Sequence, residues 1–375
     1  MPFENTENEQ GASRRVFIKT AAAGAVAAAV SGAAHSQEKA PRRLRIGAAC
    51  VGEYSFTPFC WSDIIDPEKP TISKGGTFGT PFLNMDITHV WDVNPAESQK
   101  FADRMGAAAV KNYDDMVGKV DGVIFGGFYE VPWQHLLARP YVEAGIPVYL
   151  SRPFAYRLRD LDELLNLAAK NNSAIIATAK HEHYHEAPAL KSRLKSVGPI
   201  QCVQATCNSS DFPIHFHTQF MLMRILGYDV DKVSVITDKE VGNNYLQETF
   251  VYKGGEGQKP FICSLQAVSN QDSFSVDIIG RDNTLSAKMV RSPEWRDSLL
   301  YRFAPQVIDM QRTFESKKSW QPLDEVRKKT EIFLTAYYSL KERNGAPVSV
   351  GQVPVDWQAP LYKPGWVDEA IFKKK

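Results

Sequence analysis

The sequence predicts an α/β fold: a parallel-sheet half, then an α+β half built on an open, mostly antiparallel sheet. Two observations carry this. From Arg42 to Lys180, short apolar runs alternate with amphipathic helical segments, the pattern of a parallel sheet covered on both faces. From about Ala187 onward, strand-like runs follow one another across short turns, which argues for antiparallel pairing.

In the first half, "RRLRIGAACV" (42–51) reads as a buried strand, an apolar run that follows a proline and basic residues. A long, turn-rich aromatic segment (52–82) comes next. Then "ITHVWDV" (87–93) is a strand, "AESQKFADRMG" (96–106) a helix and "VDGVIFGGF" (120–128) a strand. "WQHLLARPYVEAG" (133–145) is a helix stopped by Gly145, "IPVYLSRPF" (146–154) a strand, residues 158–172 a helix and "AIIATAK" (174–180) a strand. Sheets of this kind carry their sites beyond the carboxyl ends of the strands.

In the second half, helices are read at 187–198 and 216–227, and strands at 200–208, 232–238, 248–254, 261–269, 274–280 and 285–290. Two helices follow, 301–316 and 323–345, the second with Gly345 as its stop.

At the N-terminus, "SRRVFIK" with paired Arg14 and Arg15, an Ala-rich stretch and Ala34-His35-Ser36 read together as a twin-arginine export signal. The apolar run falls short of the ~20 residues a spanning helix needs, so no membrane anchor is expected after cleavage. The expected organisation is a signal over 1–36, a parallel-sheet domain over 37–186, an open-sheet α+β domain over 187–350 and a tail over 351–375. The expected location is the periplasm. The formal net charge of +1, with both signs interspersed, gives no basis for a nucleic-acid partner. The five cysteines show neither metal spacing nor a disulfide framework.

Taken in order, several segments resemble the Gfo/Idh/MocA family of sugar and inositol dehydrogenases. "VWDVNPAESQKFADRMG" resembles its second strand and helix, and residues 138–172 resemble the stretch carrying its "AGKHVxxEKPxA" motif. "GPIQCVQAT" resembles the start of its second domain, and "HTQFMLMRILG" the helix whose first residue is the catalytic histidine. The resemblance covers nearly all of the chain after the signal. It implies a Rossmann-like first domain, a tightly held NAD or NADP, a carbohydrate or oligosaccharide substrate and a homo-oligomer. It also implies that Asp92 meets the adenosine ribose and that His217 is the acid–base residue.

The departures lie in the motifs themselves. The family's G-x-G-x-x-G falls on "CVGEYS" (50–55), where only Gly52 remains; Cys50 and Ser55 are small enough to keep a phosphate site open. The "EKP" motif reads Ser151-Arg152-Pro153, so these three are cofactor-edge candidates. Arg152 cannot act as an acid or base, because its guanidinium stays protonated, but it can hold an oxygen-rich substrate. The family's aspartate four residues before the histidine is Pro213 here, with Asp211 nearby.

"KHEHYHEAP" (180–188) packs His181, His183 and His185 into five positions of a chain with eight histidines. By family position, His183 and His185 face the substrate. On an extended strand, histidines two apart lie about 6.6 Å apart on one face, a spacing that suits two zinc ligands. A divalent metal held by His181, His183 and His185, or by His183, His185 and His217 with Glu182 or Glu186, is therefore the second reading, with His215 joining if that segment is extended. It leads to a metal-assisted lyase or epimerase, and a non-catalytic sugar-binding protein is the third. The aromatic residues Tyr54, Phe56, Phe59 and Trp61 suit either stacking on a pyranose or plugging the sheet edge.

Overall fold

The structure, a computed structural model, describes residues 42–66, 83–207, 216–238, 245–267, 274–289 and 295–373. The export-signal reading, Asp211, Pro213 and His215 lie outside the described residues.

The first sheet is parallel, with strands β1 (Leu44–Ala49), β2 (Met85–Trp91), β3 (Ala108–Ala109), β4 (Gly122–Phe125), β5 (Val148–Leu150) and β6 (Ile175–Ala177). Its spatial order is β3-β2-β1-β4-β5-β6, which reverses direction at β1. Every residue of β4, β5 and β6 is buried, as the continuous apolar runs require of strands covered on both faces. The period-2 geometry sends alternate residues to opposite cores. Val123, Phe125, Val148 and Leu150 join one cluster, while Ile124, Tyr149 and Ile176 join the other.

A π-helical turn (Thr57–Trp61) leads into α1 (Ser62–Ile65). Helix α2 (Pro95–Met105) starts where the Asn94 side chain accepts from Ala96 N at 3.0 Å, and ends at Gly106 with φ 65°. Helices α3 (Gln134–Glu143) and α4 (Leu158–Asn171) complete this half. The linking helix α5 (Glu186–Arg193) then leads to the second sheet.

That sheet contains β7 (Ile200–Cys207), β8 (Val230–Asp238), β9 (Tyr245–Tyr252), β10 (Phe261–Ala267), β11 (Phe274–Gly280), β12 (Thr284–Met289) and β13 (Val348–Ser349). Its order is β12-β11-β7-β10-β9-β8-β13, antiparallel throughout except for β7 with β10. One face is packed by α6 (Phe216–Leu226) and α8 (Leu323–Glu342). Among the described residues the other face is uncovered, and Ile236 and Ile262 are exposed on it.

Helix α7 (Trp295–Ser316) returns from the second sheet to the first. Its Phe303, Val307, Met310 and Phe314 close the core that contains Ile46, Ile124 and Ile176. The C-terminal residues also return: Ala359 and Val367 are buried, and Ala359 N donates to Tyr156 O at 2.9 Å.

Candidate active site

The carboxyl edge of the first sheet gathers most of the residues singled out by the sequence. Where β1 ends, Cys50 and Tyr54 both adopt φ of 61°, so the turn keeps a left-handed geometry at two positions without glycine. Gly52 is retained for a visible reason. Its amide donates to Asp92 Oδ2 at 2.7 Å, and a Cβ there would lie 2.9 Å from Asp92 Oδ1. Asp92 also accepts from Asn94 N at 2.8 Å, and burial raises its carboxyl above the usual range despite these donors.

Gly52, Asp92 and Asn94 line a cavity of about 620 Å³ together with Lys100, Phe101, Arg104 and Trp366. A second cavity of about 540 Å³ shares Gly52 and Pro58 with it and continues along Tyr54, Ser55, Phe56 and Phe59. Together they form an elongated site at the point where the strand order reverses, the place where open α/β sheets bind ligands. The fit to a dinucleotide is good at the β1–β2 end, where Asp92, Gly52 and the larger cavity stand together.

Glu130, in the loop after β4, was missed in the sequence. It is 2 % exposed; Oε1 accepts from Trp366 Nε1 at 2.6 Å, while Oε2 has no hydrogen-bond partner. Burial, with Asp92 adding to it, raises this carboxyl to about 7. Gly127 lies against it so closely that any Cβ would collide with the carboxylate.

At the end of β5, Ser151 is clamped through its backbone: its N–H donates to Gln134 Oε1 at 2.7 Å and its carbonyl accepts from Gln134 Nε2 at 2.9 Å. Arg152 follows, joined to Pro153 by a cis bond and only 1 % exposed. Its guanidinium stacks 3.9 Å from the Phe56 ring centroid and donates to Ser151 Oγ at 3.2 Å. Its Nε has no acceptor, and no carboxylate among the described residues lies in ion-pair range. Phe56 thus covers Arg152, and Trp61 is fully buried against Tyr149. Of the two readings of the aromatic segment, Trp61 follows the plug, while Tyr54 and Phe59 are the exposed members.

The histidine cluster does not converge. Residues Lys180–His183 form a 3₁₀ turn rather than a strand, and at three residues per turn His181 and His183 point apart. His183 is locked between Asp309 Oδ2 (2.9 Å from Nδ1) and Thr178 Oγ1 (2.7 Å from Nε2), with the Trp320 ring tilted against it at 4.7 Å. Burial lowers its pKa, so the neutral ring donates from Nδ1 to Asp309. His185 lies outside at the start of α5, its side chain 82 % exposed. The metal set expected from His181, His183 and His185 is therefore corrected: among the described residues no group of three such side chains could hold an ion. Glu182, considered as a further ligand beside the histidines, instead pairs with Lys329 at 2.9 Å in the interior.

The contact that does form is between His181 and His217. Their ring centroids are 5.4 Å apart, and His181 Nδ1 lies 3.0 Å from Thr218 Oγ1. His217 sits in the first turn of α6 and is 5 % exposed. Two residues on, Gln219 is fully buried with neither amide atom bonded, a second polar group at this helix start with no signal in the sequence.

A family model described as "Oxidoreductase family, NAD-binding Rossmann fold" (GFO_IDH_MocA) matches residues 73–179. No curated protein matches the chain by sequence. Among solved structures, myo-inositol dehydrogenase from Lactobacillus casei, in complex with NAD(H) and myo-inositol, superposes with a TM-score of 0.66 at 12 % identity, covering 86 % of this chain and 100 % of that one. A probable dehydrogenase from Thermotoga maritima gives 0.65 at 14 % identity, covering 83 % and 100 %. Scyllo-inositol dehydrogenase from Lactobacillus casei, with NAD(H) and scyllo-inositol, gives 0.63 at 13 %, covering 83 % and 100 %. At these identities the likeness is one of fold.

Proposed function

We propose that the chain is an oxidoreductase of the Gfo/Idh/MocA type, which uses a nicotinamide dinucleotide to oxidise or reduce a hydroxyl-bearing carbon of a sugar or polyol. The observation that carries this reading is the Gly52–Asp92 pair at the strand-order reversal, opening into the cavity of about 620 Å³. The family-model match over 73–179 supports it, as do NAD(H) and inositol bound in the structural neighbour from Lactobacillus casei.

In this reading the dinucleotide lies along the two joined cavities, with Asp92 accepting from ribose hydroxyls and the 50–55 turn facing the phosphates. The nicotinamide, when bound, supplies the hydride donor or acceptor. His217 moves the hydroxyl proton at an imidazole nitrogen, a task that suits an intrinsic pKa near 6.5. His181 and Thr218 position that ring, and Gln219 offers an amide for a substrate hydroxyl. Arg152 reaches substrate oxygens only if Phe56 swings aside. A carboxylate at Asp92 repels a 2′-phosphate, so NAD(H) is favoured over NADP(H) by at least about tenfold in affinity.

Export by the twin-arginine route, a periplasmic location and a tightly held cofactor belong to the same proposal, resting on the N-terminal sequence pattern. So does a homo-oligomer, supported by the exposed Ile236 and Ile262 on the open sheet face.

The deciding experiment purifies the protein without chelator or added cofactor, denatures it and quantifies released dinucleotide and metal by mass spectrometry. Near-stoichiometric NAD with no metal is the expected result. Protein that neither retains nor binds NAD(H) or NADP(H) sinks the reading.

A further inference from the structure

The larger cavity has one wall that does not come from the parallel-sheet half. Among its described lining residues, Trp366 alone lies beyond residue 104. It arrives on a C-terminal segment anchored at several points. Arg159 N donates to Val355 O at 3.0 Å, Tyr337 Oη donates to Pro360 O at 3.2 Å, and Val367 is buried. From there residues 362–366 cross the loops after β1 and β4. Tyr362 stacks on Tyr129 at 5.8 Å, Trp366 meets Tyr129 at 5.2 Å, and the Trp366 indole N–H donates to Glu130. Lys363 Nζ lies 2.7 Å from Glu53 Oε2, one residue after Gly52, and 3.9 Å from the Trp366 ring.

The charges explain why such a segment is needed. The turn that would face a pyrophosphate is flanked by three carboxylates, Glu53, Asp92 and Glu130. Its amides are largely spent: Gly52 N donates to Asp92, Ser55 N to Gly52 O at 3.2 Å and Phe56 N to Gly126 O at 3.0 Å. Phosphates arriving there would meet few free amide donors on the turn, and the two cations lining the larger cavity, Lys100 and Arg104, lie on α2 rather than on the turn itself. Lys363 carries three N–H donors on a flexible stem and can bridge Glu53 and a phosphate oxygen. Trp366 presents an indole to the cavity, and aromatic faces bind purine bases in a sequence-tolerant way.

We propose that Tyr362–Trp366 is a clasp that completes the nucleotide site, with Trp366 walling the adenosine cavity and Lys363 supplying a positive charge for the phosphates at the turn after β1. This rests on the dinucleotide reading above and adds two binding residues to it. Tight retention of the cofactor follows, because release requires the segment to lift from both loops at once.

The test measures binding of NADH, ADP and adenosine to the full chain and to the variants Lys363→Gln, Trp366→Ala and Trp366→Phe. Circular dichroism and the thermal midpoint establish that each variant is folded. Lys363→Gln is expected to weaken NADH and ADP about tenfold or more and to leave adenosine unchanged. Trp366→Ala is expected to weaken all three and to speed NADH release, while Trp366→Phe, which keeps the aromatic wall, retains most of the affinity. Wild type that binds NADH, with variants that match it, overturns the clasp and leaves the oxidoreductase reading standing. Equal loss of adenosine and ADP in Lys363→Gln also overturns it, since a phosphate contact cannot act on a ligand without phosphate. Wild type that binds none of the three overturns the dinucleotide reading and the clasp with it.

Discussion

Glu130 shows how one buried carboxyl can carry a pH signature. Its folded-state value of about 7 lies above the ordinary 4.5, so the native state holds the proton more tightly than the unfolded chain. The associated stability is fully present below pH ~4.5 and is lost as pH rises through ~7. Glu130→Gln keeps an amide oxygen for the Trp366 N–H and removes the titration. It is expected to stabilise the cofactor-free protein by about 1–3 kcal/mol at pH 8 and to leave it unchanged at pH 4. Denaturant titrations at the two pH values check this, and equal effects at both would place the shift elsewhere. Nothing in "GGFYEVPW" marks Glu130 as buried, because the wall that buries it comes from residue 366. By contrast, the placement of Gly52 in the turn after the first strand and of Asp92 at the end of the second was legible, because both are local patterns with a local cause.

At the scale of elements, the link between β6 and α8 is the sharpest case. Lys329 of α8 is fully buried, with Nζ at 2.9 Å and 3.2 Å from the two Glu182 oxygens and 3.1 Å from Gln321 Oε1. Glu182 Oε2 also accepts from Ala179 N at 2.6 Å, tying the 3₁₀ turn to the helix. Lys329→Met would leave a buried carboxylate with one partner fewer and is expected to cost about 3–5 kcal/mol. The double variant Lys329→Met/Glu182→Gln recovers much of that, because no unpaired charge remains. Thermal and denaturant unfolding of the three variants measure it; a double variant no better than the single would remove charge burial as the cause. This same turn is why the histidines fail as a metal set. The sequence offered "KHEHYH" as an extended continuation of a strand, but β6 stops at Ala177 and the next residues coil to meet α6, α7 and α8.

Over the whole molecule, the second sheet sends α7 back to seal the first. Phe303, Val307, Met310 and Phe314 cover a face that β1, β4, β5 and β6 would otherwise expose to water. Four large apolar side chains, each worth about 1.5–3 kcal/mol on burial, exceed a large share of a typical domain's net stability. A fragment of residues 43–193 is therefore expected to lack a cooperative transition, while the chain from residue 43 to 373 unfolds in one. Calorimetry of both decides it, and a fragment with its own sharp transition would refute the dependence.

What the sequence by itself determined was periodic and local: the strand–helix alternation, the order of the two halves, helix stops such as Gly106 and Gly145, and the positions of Gly52, Asp92, Arg152 and His217. Backbone sterics and apolar periodicity act over a few residues, so they can be read without the fold. Tertiary structure alone decided which side chains meet. It put Phe56 over Arg152, locked His183 between Thr178 and Asp309, turned His185 to solvent, set His181 beside His217 and brought Trp366 to the Asp92 cavity. Apart from Thr178 with His183, those pairings join residues tens to hundreds of positions apart, and their geometry is fixed by packing, which carries no local signature in the chain.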